Sequence, residues 1–92
     1  MNYNEAFTDW EKRREEAAWL GLRYKDYSRM YSYIQQRIGT GQAETFNGYS
    51  KATKRLFCAR VVYLHSSDEE KRKKAKKYLE KHKGEDGIIW PK

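Results

Sequence analysis

Tyr27, Met30, Tyr31, Ile34 and Ile38 recur at the three- and four-residue steps of one buried helical stripe. They predict a helix from about Lys25 to Ile38, with Gly39 as its C-terminal punctuation. Upstream, Phe7, Trp10, Ala17, Ala18 and Leu20 fall roughly on one side of a first helix, which starts near Asn4 or Thr8 and stops at Gly21. Thr8-Asp9-Trp10-Glu11 fits a capping box, in which a hydroxyl and a carboxylate satisfy reciprocal backbone N–H groups. Residues 39–48, GTGQAETFNG, hold three glycines and an Asn-Gly step and predict the one long loop, with Phe46 available to tuck onto the core. A loop of that length in so small a domain is often functional.

Leu56, Phe57, Ala59, Val61, Tyr63 and Leu64 make the next segment, about Tyr49 to His65, the most apolar and the expected central helix. Its stretch LFCARVVYL also has the length of a buried strand, but the chain offers no second strand to pair with it. Ser66-Ser67-Asp68-Glu69-Glu70 then opens a fourth helix, and both Ser66/Glu69 and Ser67/Glu70 match the capping box. Acids at its start and lysines toward its end complement the helix dipole. Only Ala75, Tyr78 and Leu79 offer it an apolar stripe, so it lies on the surface until Gly84 ends it. The short connection makes the last two helices an antiparallel hairpin. The fold class expected is therefore all-α: one domain over residues 1–92, a bundle of about four helices with a loop at 39–48 and a C-terminal tail at 84–92. The tail carries Ile88-Ile89-Trp90, which either docks back over helices one and three or anchors a partner.

Composition narrows the class. A chain of 92 residues buries only about 60–65% of its unfolded surface, so the core is small. Aromatic residues reach 15%, which argues against disorder even though only 38% of positions are apolar. Cys58 is the only cysteine, so no intramolecular disulfide forms and a reducing cytosol is the expected setting. No apolar run approaches a membrane span. The segment MNYNEAFTDWEKRREE lacks the apolar centre of a signal peptide. A cytoplasmic protein without a membrane partner is expected.

Charge changes the picture most. Residues 1–46 hold seven Lys/Arg against seven acids, whereas residues 47–92 hold thirteen against six and carry the whole +7. Eight of those thirteen lie in KRKKAKKYLEKHK, residues 71–83. Such a field attracts polyanions or an acidic protein surface. The leading expectation is a small binding module that holds DNA or RNA phosphates on the face of the last two helices. Lys51, Lys54, Arg55, Arg60, Lys73, Lys74, Lys76, Lys77 and Lys81 would make the contacts, with affinity but little sequence preference. Helix one, a turn at 21–25 and helix two would also suit a helix-turn-helix, presenting Lys25, Ser28, Arg29, Ser32, Gln35 and Gln36 to base edges. The same residues are ordinary on any exposed helix.

Tyr27, Tyr31 and Tyr63 are expected in the core with hydroxyls at its rim. Tyr24, Tyr33 and Trp19 fall off the apolar stripes, divided between packing and surface contact. The alternative function, from a different class, is a protein-interaction factor: an inhibitor or modifier of a nucleic-acid-processing enzyme, of the kind a phage or mobile element encodes. It would dock on an acidic surface through Trp19, Tyr33, Ile89 and Trp90. A third is a structural subunit that self-associates through its aromatic surface. Catalysis is not expected. Cys58, His65 and His82 lack zinc-site spacing. GTGQ lacks the downstream Lys-Ser/Thr of a phosphate-binding loop. Glu15 and Glu16 are adjacent and point apart on a helix. Neither a metal nor another cofactor is expected.

Overall fold

The computed structural model describes the backbone of residues 3–83 and the side chains of residues 10–83. Five helices follow in order: α1 (Tyr3–Tyr24), α2 (Ser28–Arg37), α3 (Thr40–Asn47), α4 (Lys51–His65) and α5 (Glu69–Lys81). No strand occurs among the described residues, so the all-α class holds, with five helices in place of about four.

Helix α1 runs through Gly21 rather than stopping there. Gly21 is buried, and a Cβ built on it would lie 2.4 Å from the Cys58 Sγ of α4. The glycine is a close-approach site between two backbones, and close approach is a second use of a residue without a side chain. The helix ends where Lys25 takes a left-handed φ of 59°, a position more often held by glycine. One of its last carbonyls, that of Leu22, accepts a bond from Arg55 Nε at 2.8 Å, which satisfies a group the helix end leaves open.

The predicted loop is largely a helix. Gly39 adopts φ 152° and ψ 160° and turns the chain from α2 into α3 across a two-residue connection, Ile38–Gly39. Ala43 and Phe46, three positions apart, are fully buried and give α3 an inward face. The glycines of this segment punctuate a short helix at its ends. In the same region Ile38, assigned to the buried stripe, is 62% exposed. It follows the last residue of α2, where the chain has left the stripe's register.

Helix α4 is central. Its buried residues Thr53, Leu56, Cys58, Ala59 and Val62 are spread around the helix because neighbours cover it on several sides. It runs antiparallel to α1, since Gly21 meets Cys58 and Leu22 meets Arg55. It is also antiparallel to α5: Arg55 stacks on Tyr78 at 4.8 Å near one end, and Arg72 Nε reaches the Tyr63 carbonyl at 3.3 Å near the other. Phe46 packs on Phe57 at 5.2 Å and brings α3 to the remaining side. Five of the twelve residues in the core cluster are alanines, so the helix axes come close and the large rings sit around the perimeter.

Helix α5 is capped by Asp68, not by Ser66 or Ser67. Asp68 Oδ1 accepts from the Glu70 and Lys71 N–H groups at 2.9 and 3.3 Å. Ser66 is buried, and its hydroxyl accepts from the Asp68 N–H. Asp68→Ala is therefore expected to lower stability by about 1 kcal/mol, whereas Ser67→Ala changes it by only a few tenths, as urea denaturation midpoints will show. The tail at 84–92 lies outside the described residues.

Candidate nucleic-acid interface

A single buried residue, Ala75, fixes how α5 rolls on the bundle. With 100° per residue, its cations then divide among three directions. Lys71, Lys74, Tyr78 and Lys81 share the flank next to α1, where Lys71 and Tyr78 are half-buried. Lys73 and Lys77 follow the outward crest. Lys76 and Arg72 take the opposite flank, beside Tyr63, and Arg60 stands half-buried on that side of α4. The expected set thus does not form one continuous face across the last two helices.

The flank next to α1 is the most organised of the three. Trp19 projects from α1 and has Lys71 and Lys74 of α5 at 5.3 and 5.8 Å from its ring centroid, with Arg23 of α1 at 5.3 Å. The Arg23 guanidinium also lies 5.6 Å from the ring of Tyr24, which is 65% exposed. A run of Tyr24, Arg23, Trp19, Lys71 and Lys74 therefore crosses from one helix to the other. Trp19 and Lys74 were singled out from the sequence; Arg23 and Lys71 were not named as binding groups. Their spacings, Trp19 to Arg23 and Lys71 to Lys74, put each pair on one helical face and were available as a signal. The meeting of α1 with α5 was not.

Other expected contacts fall elsewhere. Arg55 is committed inside the junction of α1, α4 and α5 through Leu22 and Tyr78. Lys51 and Lys54 stand at the start of α4 beside Tyr27: the Tyr27 hydroxyl donates to the Lys51 carbonyl at 3.2 Å, and Lys54 Nζ is 5.8 Å from the Tyr27 ring. Tyr33, a candidate contact ring, is 8% exposed and packs against Trp10 with centroids 6.1 Å apart, so its ring belongs to the interior wall between α1 and α2. Ile89 and Trp90 lie outside the described residues.

The helix-two residues do not stand out as an open reading head either. Arg29 is paired with Glu16 of α1 at 2.7 Å, and the Ser28 hydroxyl donates to Asp26 at 2.8 Å. Exposed pairs on α5, Arg72 with Glu69 and Lys73 with Glu70, hold their cations only weakly.

Burial pushes the Cys58 thiol up to about 12, so it stays protonated at neutral pH and is no nucleophile. Desolvation, with the Arg14 charge acting the same way against Glu11 and Glu15, lowers His65 from the ordinary imidazole value. The Tyr31 hydroxyl, which donates to Glu44 at 2.6 Å, is raised by that bond. Among the described residues no group of three or more His, Cys, Asp and Glu side chains could hold a metal ion, and no helix is long and apolar enough to cross a membrane. The raised thiol has a stability consequence. The native state keeps the Cys58 proton longer than the unfolded chain does. The contribution is complete below about pH 8.5, the ordinary thiol value, and is lost as pH climbs toward 12. Urea midpoints between pH 8 and 10.5 are expected to fall less steeply in Cys58→Ala than in the parent.

Comparison with known proteins finds no matching family, no similar curated protein and no similar solved structure.

Proposed function

We propose that the protein is a nucleic-acid-binding module that holds a single strand of DNA or RNA along the α1–α5 edge. The observation that carries this reading is Trp19, an aromatic ring flanked by Arg23, Lys71 and Lys74 from two helices. Aromatic rings beside cations are how sequence-tolerant single-strand binders work: bases stack on the ring and the cations track the phosphates. Arg23, Lys71, Lys74 and Lys81 take phosphates, and Trp19 and Tyr24 offer stacking surfaces. Lys73, Lys76, Lys77 and Arg60 widen the attracting field without forming the site. Duplex reading needs a helix that offers base-reading side chains to a groove; α5 instead opens on Glu69 and Glu70 and then presents mostly lysines, with Glu80 before the last of them. No catalysis is assigned. A lone buried cysteine suits a reducing cytoplasm.

The test is fluorescence anisotropy with labelled single-stranded and duplex DNA and RNA from about 50 to 300 mM salt. Binding that favours single strands, with a slope near −3 in log K against log salt as expected for about four phosphate contacts, supports the reading. Absence of binding at the lowest salt overturns it, and capture of an acidic protein through Trp19 would then favour the interaction-factor class.

A further inference from the structure

The cations of α5 leave a second feature unused. Between α1 and α2 runs a groove of about 270 Å³ that opens on the side of α1 away from Trp19. Trp10 and Tyr33 form its aromatic wall, with centroids 6.1 Å apart. Ala17, buried, lies at its base. The exposed ion pair of Glu16 and Arg29 spans the two helices at its border, at 2.7 Å.

Three hydrogen-bonding groups on its α2 side have no partner among the described residues: Ser32, Gln36 and the hydroxyl of Tyr33. Tyr33 buries its ring, with 8% of the residue exposed, while its hydroxyl is not a buried atom and is left open to a ligand in the groove. From α1 the Arg13 guanidinium stands 5.4 Å from the Trp10 ring centroid and borders the same groove. With Arg13 and Arg29 against Glu16, the lining carries a net positive charge.

We propose that this groove is a binding site for one nucleotide. The base packs on the Trp10–Tyr33 wall, as bases do on aromatic side chains and guanidinium planes. Gln36, Ser32 and the Tyr33 hydroxyl read its edge, since amides and hydroxyls match the donors and acceptors of bases. Arg13 takes the phosphate through its planar fork. The volume falls below the roughly 300 Å³ where drug-sized ligands begin, so it admits a single unit. A free mononucleotide and one nucleotide of a longer strand present the same chemistry. The site does not depend on the α1–α5 edge.

The test is titration of ¹⁵N-labelled full-length protein with each mononucleotide, with inorganic phosphate, and with a short single strand, followed by amide and indole shifts. Expected are saturable shifts at the Trp10 indole, Ser32, Tyr33 and Gln36, with dissociation constants of about 1 mM or tighter. Inorganic phosphate alone should bind at least about tenfold more weakly, because it lacks the base. Tyr33→Phe and Gln36→Ala should each weaken the mononucleotide binding read at the groove residues several-fold. Gln36 is exposed, so its substitution reads binding even if the tyrosine change disturbs packing. If the strand moves the groove residues and mononucleotides move them too, a strand nucleotide is the source; if only mononucleotides do, the free form is. No shift up to about 5 mM ligand, shifts confined to Trp19, Lys71 and Lys74, or equal binding of bare phosphate overturns the proposal.

Discussion

Valine at position 21 is expected to destabilise the fold by about 3 kcal/mol or more, at the upper end of what overpacking costs. In a domain of this size that lowers the thermal midpoint by about 12 °C or more. The first atom of any side chain there would already stand 2.4 Å from Cys58 Sγ and 3.2 Å from Cys58 Cβ, and both residues are buried. Alanine is the gentler test. It gains helix propensity of about 1 kcal/mol over glycine, yet still meets the sulfur, so a net loss of about 1 kcal/mol remains. The partner substitution gives a sharper signature. Cys58→Ala alone leaves a small void and destabilises; introduced with Gly21→Ala it removes the 2.4 Å clash, leaves the 3.2 Å approach of the two Cβ atoms, and recovers part of the loss. Urea melts of the four proteins should show a coupling of about 1 kcal/mol or more with that sign. Additive losses would mean that the helices separate freely at this point.

Reversing Lys71 and Lys74 together is expected to weaken single-strand binding by about 100-fold near 0.1 M salt and to reduce the salt slope by about 1.4, the share of two phosphates. Reversing Lys73 and Lys77 on the outward crest removes the same net charge from the same helix and should cost only several-fold. Trp19→Ala, without any change in charge, should lose about 10-fold or more, the value of one stacked base. These three variants separate a built site from a diffuse field. Equal losses from the two lysine pairs, with no effect of Trp19→Ala, would reduce the α1–α5 edge to one patch of a generally basic surface. Retained helicity by circular dichroism guards the comparison, because all five residues keep at least part of their side chains in solvent.

Much of the architecture could be read before the chain was seen folded, and the exceptions share a cause. The stripe through Met30 and Ile34, the central position of α4 and the superficial position of α5 all follow from local periodicity, and all are present. Glycine misled twice. At Gly21 a stop was expected where two backbones meet, and at 39–48 a loop was expected where Ala43 and Phe46 hold a short helix on the core. In both places the deciding partner, Cys58 or Phe57, lies elsewhere in sequence. The same limit applies to the capping of α5. Two candidates stood side by side at Ser66 and Ser67, and the structure buries Ser66 and caps the helix with the next residue, Asp68. The edge around Trp19 was half legible. Its lysines and its ring were each visible, but a contact between residues about fifty positions apart is made by tertiary packing alone.

The meeting of Gly21 with Cys58 also bears on how fast the chain folds. The pairs α2–α3 and α4–α5 join neighbours across connections of two or three residues, Ile38–Gly39 and Ser66–Asp68, and each closes a short loop. Docking α1 on α4 instead has to wait for everything between residues 21 and 58 to be drawn in. Loop-closure entropy makes that the least local of the extensive helix pairings, and topology of this kind governs rate more than stability does. Helix α1 searching for one narrow approach to the α4–α5 pair, which only a hydrogen at position 21 permits, would place the rate-limiting collision at that glycine.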